Sequence, residues 1–509
     1  MNAMKKNLLL LSAIALVVAG ISTLSCTKLE QEGLTDNPAS DNGLSFTISV
    51  NRGEGTKALA ISGNNLSKTF AVGEKIAVVY IVGGSKRVAI SDALQSDDIK
   101  RSGKYADFSV TLDEAPDLNS EVKYIYPAVL ATTTGSINYD ALAMQDGTLE
   151  SIASNLDLGL FEGTLNRRAF PQNQTLTNPL TICKFTIKNG DTDITNNVTR
   201  LTVKNGSDIY TIDPTSSKNA FWVAIKPVNN GDVTVYAACG RDLYKKTVSD
   251  VTLASSNLYP INVTAPKVDG AISGLFRIGD NLIYFSKGNL WAIEPFSNTY
   301  WKRLDDTTPF ARNQYDYLGY GSGSANTHIT GNGTTNPSGY IDLFGWSTSA
   351  TVYGIHNGNT NSQYGGDFVD WGGKVKGSWH TPSKNEWNTI IGNYPHGKAT
   401  VNDVHGLVII PYRTSIASFN TANNSYDNNV YAASQWDDME AVGAIFLPAA
   451  GRRSGTSIYD IYDPYKGYYW SSTSTDSSWG CYMGFDGGSG PSVGNSGRAS
   501  GYSVRLIGE

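Results

Sequence analysis

The residues of this chain that could perform catalysis are few, and their spacing does not favour it. All of its histidines lie beyond residue 270, and none share a metal-ligand spacing such as H-x-x-x-H. They are His328, His356, His380, His396 and His405. The G-x-S-x-G sequence at 490–494 has the form of a nucleophile elbow, but glycine, serine and asparagine flank it where an elbow needs a strand and a helix. We therefore expect no enzyme and no cofactor, although a Ser/His/Asp triad assembled by folding stays open.

The cysteines do not suggest redox or metal chemistry. Cys183 and Cys239 lie in strand-like sequences, where a free cysteine usually acts as a small buried hydrophobe. Cys481 is the only cysteine of the last 240 or so residues. With no short spacing among these three, neither a disulfide framework nor a zinc site is indicated. A bridge between Cys183 and Cys239 remains open.

The N-terminus is typical of an exported protein. Two lysines precede an apolar stretch at residues 8–20, which is too short to span a bilayer stably. Small residues then lead to Cys26, an order that resembles a lipoprotein signal in which the cysteine becomes the lipidated first residue. The alternative is an ordinary cleaved signal with an incidental cysteine. We expect a signal peptide at 1–25, a flexible tether at 26–43, and attachment to the outer membrane through lipid on Cys26.

Charge excludes one class of partner. The formal net charge is -6, only 17% of the residues are charged, and no basic cluster stands out. A nucleic-acid-binding protein needs a basic surface to neutralise phosphates. We therefore expect no nucleic-acid partner.

The composition of residues 459–498 favours recognition of a ligand. Tyrosine, tryptophan, serine, glycine and aspartate alternate there, as in antibody paratopes, and aromatic rings with polar neighbours also suit sugars. We expect this stretch to bind a glycan or a protein on a host or bacterial surface. The candidate residues are Tyr459, Tyr462, Tyr465, Trp479, Tyr482 and Asp486. Alternation along Trp479–Phe485 conflicts with an exposed Trp479, and ordinary loop polarity is the alternative for the whole stretch.

The elements that must position these residues are mainly strands. Alternating sequences such as LSFTISV (44–50) and YADFSVTL (105–112), separated by turn residues, predict two successive β-sandwiches at 44–172 and 173–266. Residues 265–274 are predicted to be a linker. The third domain, 267–509, should contain a helix that begins with Thr381 as its N-cap and Pro382 at the first helical position. Its polar stretch at 423–433 is predicted to be a surface loop.

The first two domains resemble a known family. The segments GEGTKA (53–58), TFAVGEKIAVV (69–79) and LYPINVT (258–264) follow the lipoprotein signal and the first strand in the order seen in fimbrillin-like proteins, the subunits of Bacteroidota type V pili. The resemblance implies two transthyretin-like sandwiches. It also implies that a protease removes the first strand after a basic residue, so that a neighbouring pilin subunit can donate a strand to the open groove.

Two basic residues are candidates for that cleavage. Arg52 and Lys57 follow the first strand and flank a Gly-Glu-Gly turn, an accessible place for a protease. Lys57 stands where the family has its basic residue, so the resemblance favours Lys57 over Arg52. The alternative is that both are simply solvated loop residues.

Residues 274–509 resemble a second family. FSKGNLW, DLFGW, TPSKNEW, LPAAGRR, YYWSST and SVRL occur in the order of the Fibrobacter succinogenes major-paralogous domain, which has an α+β C-type-lectin-like fold. The fold does not name a ligand. The tripeptides that bind calcium in sugar-binding relatives are absent, and Cys481 alone cannot support the paired-cysteine chemistry of enzyme relatives.

Together these observations predict a cell-surface adhesin. The last predicted strand, in SVRLIGE, is expected to complete the third domain rather than serve as a donor, so we expect the tip subunit of a type V pilus. The alternative is a glycan-binding lipoprotein of the outer membrane that never polymerises.

Overall fold

The structure is a computed structural model. It describes residues 44–52, 60–62, 65–67, 69–293, 309–317, 340–349, 353–355, 358–414, 416, 419–421, 425–455, 457–460 and 465–509. These residues form a mainly β protein, as predicted, with sheets of two to five strands. The predicted signal peptide and tether, Cys26, Lys57 and Tyr462 lie outside the described residues.

The N-terminal part of the chain forms a β-sandwich. The strands up to residue 175 are β1 (Leu44–Asn51), β2 (Ala60–Ser62), β3 (Asn65–Ser67), β4 (Ala77–Val82), β5 (Ser85–Ile90), β6 (Ile99–Lys100), β7 (Tyr105–Leu112), β8 (Glu121–Tyr126), β9 (Met144–Gln145), β10 (Gly159–Thr164) and β11 (Gln174–Thr175). The sheets of the sandwich have the strand orders β11-β1-β7-β6 and β10-β8-β4-β5, and a small hairpin pairs β2 with β3.

Strand β1 is paired unequally on its two edges. It pairs antiparallel with β7 along its whole length, from Leu44 opposite Leu112 to Asn51 opposite Tyr105. On its other edge β11 pairs only with its last two residues. The amide side chain of Gln172 covers part of the remaining edge, because it accepts a hydrogen bond from the Ser49 N–H and donates one to the Thr47 carbonyl.

The second sandwich is built from α1 (Leu149–Ser151) and the strands β12 (Thr181–Asn189), β13 (Thr192–Asp193), β14 (Arg200–Asn205), β15 (Asp208–Ile212), β16 (Phe221–Ile225), β17 (Val228–Cys239), β18 (Asp242–Leu253) and β19 (Leu258–Thr264). One sheet has the order β13-β12-β16 with β19 parallel to β12, and the other has the order β18-β17-β14-β15-β9.

The predicted boundary at 172/173 does not separate the two sandwiches. β11 lies beyond the boundary but pairs with β1 of the first sandwich, and β9 lies before it but pairs with β15 of the second. The sheet containing β4 and β8 is also buried on both faces. Val78 and Tyr124 face the first core, whereas Val79 and Ile125 pack into the core of the second sandwich. A local sequence pattern shows strand positions but not which sheet a strand joins. The pairing of β9 and β11 with strands of the other sandwich was therefore not predicted.

The described residues of the C-terminal domain form several smaller sheets and two α-helices. Its elements are β20 (Ala271–Ile278), β21 (Asn281–Ser286), β22 (Ala292–Ile293), β23 (Tyr340–Ile341), β24 (Trp379–His380), α2 (Lys384–Asn393), β25 (His396–Val401), β26 (Val404–Ile409), β27 (Val430–Tyr431), α3 (Ala433–Ala441), β28 (Ile445–Pro448), β29 (Arg452–Ser454), β30 (Ser457–Tyr459), β31 (Gly467–Ser474), β32 (Trp479–Phe485), β33 (Ser492–Gly497), β34 (Ser500–Gly501) and β35 (Ile507–Gly508). Helix α3 was not predicted; it buries Trp436, Met439 and Glu440.

Helix α2 begins two residues later than predicted. Ser383 is the N-cap: its hydroxyl accepts from the Glu386 N–H, and Glu386 in turn accepts from the Ser383 N–H. Thr381 cannot act as the cap because its own N–H and hydroxyl bind the carboxylate of Asp370. The second carboxylate oxygen of Glu386 lies 3.1 Å from Nε2 of His380 and ties β24 to the helix.

The predicted linker is a packed connection. Ala265 is fully buried, and from Ala271 the chain already forms β20. Ile209, Tyr236 and Leu243 of the second sandwich share a hydrophobic core with residues of the C-terminal domain. Ion pairs surround this contact: Arg241 binds Asp437 and, at 2.9 Å, Glu440. Lys245 donates to the carbonyl of Glu509.

The His380–Glu386 pair should make the stability of the C-terminal domain depend on pH. The hydrogen bond with Glu386 raises the pKa of His380. Burial would raise the pKa of Glu386, but hydrogen bonds with His380 and Ser383 lower it overall. The contribution of His380 to folding stability is complete below its ordinary pKa of 6.5. It is lost as pH rises through the raised pKa of the folded protein. The contribution of Glu386 to folding stability is complete above its ordinary pKa of 4.5. It is lost as pH falls through the lowered pKa of the folded protein.

We therefore expect His380→Gln to destabilise the C-terminal domain more at pH 5.5 than at pH 8.5. Urea unfolding followed by tryptophan fluorescence measures this, because nine of the ten tryptophans lie beyond residue 270. Glu386→Gln, which removes the other partner of the same pair, is the matched control and should remove the same pH-dependent part of the stability. An equal cost of His380→Gln at both pH values would contradict the prediction.

Candidate functional site

Three of the predicted ligand-binding residues have exposed aromatic rings. Tyr459, Tyr465 and Trp479 are 48%, 42% and 46% exposed. Tyr459 ends β30, Tyr465 lies two residues before β31, and Trp479 begins β32. Since most large aromatic residues of the described chain are buried, these three rings are the natural starting points for a binding surface.

Tyr465 belongs to a stack of three rings. Its ring centroid lies 4.8 Å from that of His405 and 5.5 Å from that of Tyr426. The rings of His405 and Tyr426 are nearly parallel, with centroids 4.5 Å apart. The Tyr426 hydroxyl also donates to the Tyr465 carbonyl at 2.9 Å, which holds the backbone below the exposed ring. Tyr465 is therefore a supported aromatic plate rather than an unrestrained loop residue.

A cleft of about 280 Å³ opens beside this stack. It is lined by Ser425, Tyr426, Asp427, Tyr465 and Gly487. Gly487 allows close approach, because a Cβ there would lie 3.3 Å from the Cβ of Tyr465. The cleft thus combines two aromatic rings with a carboxylate and a hydroxyl, which can accept and donate hydrogen bonds.

Lys398 and Asp486 hold the rim of the cleft in place. Lys398 is only 3% exposed, and its ammonium donates to the Gly487 carbonyl at 2.8 Å. Asp486 accepts from the N–H groups of Gly488 and Ser489, and these bonds lower the pKa of its carboxyl. Asp486 was predicted to contact ligand, but in the structure one of its oxygens builds the turn that positions Gly487.

Tyr459 lies in a charged neighbourhood. The guanidinium of Arg452 is 5.8 Å from its ring centroid and also binds Asp460, with 3.0 Å between Nε and Oδ2. Lys466 approaches the other oxygen of Asp460 at 3.4 Å. Lys466 directly follows Tyr465 in sequence, so this charged group adjoins the cleft.

Tyr482 and Trp479 do not belong to the cleft. The half-buried ring of Tyr482 packs against Tyr468 and Tyr502, with centroids 5.7 and 5.1 Å away. Trp479 is the first residue of β32, whereas the cleft lies beyond Phe485, the last residue of that strand. Six residues of extended strand separate the two by about 20 Å. The five predicted residues that the structure describes therefore do not form one continuous site.

Sequence reasoning missed His405, Tyr426 and Lys398, which support the cleft. His405 and Lys398 lie on the neighbouring strands β26 and β25. Tyr426 lies in the stretch predicted to be a surface loop, yet it is only 4% exposed. The one available signal was the presence of a large aromatic in an otherwise polar sequence, since such a residue usually has a packing partner.

Arg52 is not the accessible residue that was predicted. It is 3% exposed, and Nη1 lies 2.6 Å from Oδ2 of Asp157. Its guanidinium also lies 3.9 Å from the ring centroid of Tyr126 and 4.8 Å from that of Phe70. The prediction is wrong because the inward alternation of β1 continues one residue beyond the strand and brings Arg52 into the core.

The other candidates for chemistry have structural surroundings. Ser492 of the G-x-S-x-G sequence begins β33, and β34 rather than a helix follows it. Cys183, Cys239 and Cys481 are free, so the Cys183–Cys239 bridge that remained open does not form. Within the described ranges, no three histidine, cysteine or acidic side chains are grouped as a metal site. In the same ranges, no helix has the length and apolar character needed to cross a membrane.

Comparisons with known proteins give only distant structural similarities. No family model and no curated protein matches the chain. A fimbrial protein from Bacteroides ovatus is similar with 11% identity over 92% of this chain and 100% of its own, and a TM-score of 0.21. A fimbrial assembly protein from Parabacteroides distasonis has 11% identity over 48% of this chain and 95% of its own, with a TM-score of 0.26. A minor pilin from Streptococcus agalactiae has 11% identity, covers 44% of this chain and 96% of its own, and has a TM-score of 0.21. Similarities of this size do not assign the chain to a family.

Breaking the buried Arg52–Asp157 pair should destabilise the protein strongly. Arg52→Met should cost about 3–5 kcal/mol, because it removes the cation beside a buried carboxylate. The double variant Arg52→Met/Asp157→Leu should recover most of that loss. The free energies of unfolding, measured in urea, give the coupling between the two residues.

Arg87 provides the matched control. It pairs with Glu114 at 3.4 Å, and both side chains are about half exposed. Arg87→Met should therefore change stability by less than about 1 kcal/mol. Equal small losses for Arg52→Met and Arg87→Met would show that the buried pair does not hold β1.

Proposed function

We propose that this protein is a cell-surface adhesin whose C-terminal domain binds a glycan or protein through the cleft beside Tyr465. The observation that carries the proposal is the supported and exposed Tyr465 ring next to Asp427 and Ser425. A sugar ring can lie against the tyrosine face while its hydroxyls bond to the carboxylate and the serine hydroxyl. The cleft volume of about 280 Å³ suits a small group, such as one sugar ring or one side chain. No enzymatic activity is part of the proposal.

The first sandwich has the features of a strand acceptor. If β1 left, the residues that it covers would form an apolar trough beside the unpaired edge of β7. Phe108, Val110 and Leu112 of β7 share their core with Ile48 and Val50 of β1. A strand from a neighbouring pilin subunit could restore both the hydrogen bonds and this core. In the proposal, cleavage near Lys57 precedes the exchange.

The proposal includes a position at the tip of a type V pilus, where the protein would accept a strand without donating β35. This strand lies between β21 and β24, and Ile507 is fully buried. Lys245 of the second sandwich also binds the carbonyl of Glu509. β35 is thus part of the C-terminal domain and is not available as a donor strand.

A second candidate function is a glycan-binding lipoprotein that keeps its first strand and never polymerises. It would stay on the outer membrane through lipid on Cys26. The specific observation that favours it is the burial of Arg52 beside Asp157, which retains β1 in addition to its pairing with β7.

Substitution of exposed aromatic residues tests ligand binding. Tyr465→Ala should weaken binding to a responsive glycan or cell surface about tenfold, because it removes the stacking face. Glycan arrays followed by titration measure the effect. Trp479→Ala is the matched control, since it removes an equally exposed ring from the other end of β32. If Trp479→Ala reduces binding and Tyr465→Ala does not, the cleft is not the site.

Assembly with a purified shaft pilin and an Arg/Lys-specific protease tests the tip position. We expect one copy of this protein at a fibre end, with a mature N-terminus at Ala58. Copies at internal positions would contradict the tip assignment. A mature protein that starts at a lipidated Cys26 and never enters fibres would support the second candidate.

A further inference from the structure

The inward face of β1 ends in a charge. Ile48 and Val50 point into the first core and are fully buried, and Arg52 follows at the next inward position with only 3% exposure. Its backbone N–H still bonds to the carbonyl of Lys104, so the extended geometry continues to this residue. The trough occupied by β1 is therefore apolar along its length and polar at one end.

That end is a preformed site for a guanidinium, which we call the cation cage and define as Phe70, Tyr126 and Asp157. The two rings meet edge to face, with centroids 5.4 Å apart and planes at 90°. Arg52 lies over both faces, at 4.8 and 3.9 Å, while Nη1 contacts the Asp157 carboxylate at 2.6 Å. A planar guanidinium can stack on a ring and bond a carboxylate at once, whereas a lysine ammonium is more strongly hydrated and does not stack.

Strand exchange has a consequence for this cage. When β1 leaves, Arg52 leaves with it, and the cation is removed from a carboxylate whose side chain is only 4% exposed in the intact chain. Removing one partner of a buried ion pair is strongly unfavourable. An incoming strand that supplied only apolar residues would repair the core but not this charge.

We propose that the first sandwich selects its donor strand by a basic residue, preferentially arginine, that enters the cation cage. This inference rests on the proposed strand exchange. The donor should carry large apolar residues at three alternate positions, as at Phe46, Ile48 and Val50, with arginine at the next alternate position. The cage thereby sets register as well as identity, because a shift by two residues puts an apolar side chain against Asp157 and the arginine outside the cage.

Peptide binding to the whole chain tests the proposal. A variant of the whole chain carries a specific protease sequence within residues 53–59. Cleavage there cuts the backbone after the first strand and removes no other part of the protein. Fluorescent peptides with the sequence of residues 44–52 then compete with the resident strand. One series ends in arginine, and the matched control ends in citrulline, which has nearly the same shape but no charge. Fluorescence anisotropy gives the affinities.

We expect the arginine peptide to bind at least about 30-fold more tightly than the citrulline peptide. In the Asp157→Asn chain, this preference should fall below about threefold while the citrulline peptide still binds. Affinities within threefold of each other on the unsubstituted chain would overturn the cation requirement and leave strand exchange intact. Failure of every peptide to enter would overturn strand exchange itself, and the present inference with it.

Discussion

Burial of one sheet on both faces determines how the N-terminal half of this protein is built. The strands β4 and β8 alternate between the cores of the two sandwiches, with Tyr124 in one and Ile125 in the other. Neither sandwich can therefore separate without exposing apolar surface of both. The exchange of β9 and β11 across the boundary reinforces this connection, because each is hydrogen-bonded in the sheet of the other domain. The two sandwiches form one mechanical unit.

The C-terminal domain continues that unit instead of being tethered to it. Its first strand begins almost directly after the second sandwich, and Tyr236 and Leu243 lie in a shared core. The contact of Arg241 with Glu440 and that of Lys245 with Glu509 lie at the same junction. In the proposed adhesin, a pull on a ligand near Tyr465 would thus pass through packed side chains and ion pairs to the first sandwich. A long flexible linker would not provide this connection.

Strand positions were largely predictable, whereas their partners were not. YADFSVTL at 105–112 is a strand with the predicted bounds because its alternation reports directly on burial. Helix α2 was also predicted, but its N-cap is Ser383 instead of Thr381, because Asp370 in the preceding segment binds Thr381. The exposed rings of Tyr459 and Tyr465 were predicted from composition alone. The residues that make Tyr465 part of a cleft, His405 and Tyr426, were not, because nothing local marks a stack between separate segments.

The sequence by itself determined which segments alternate, where turns interrupt them and which part of the chain carries nine of the ten tryptophans and all of the histidines. These are local properties, set by side-chain periodicity and backbone preference. Only the tertiary structure decided that Arg52 is a core residue and that Tyr465 and Trp479 lie at opposite ends of the paired strands β31 and β32. It also decided that Asp486 builds a turn. The reason is the same in each case: the environment of a side chain depends on segments that pack against it from elsewhere in the chain, as Asp157 does for Arg52.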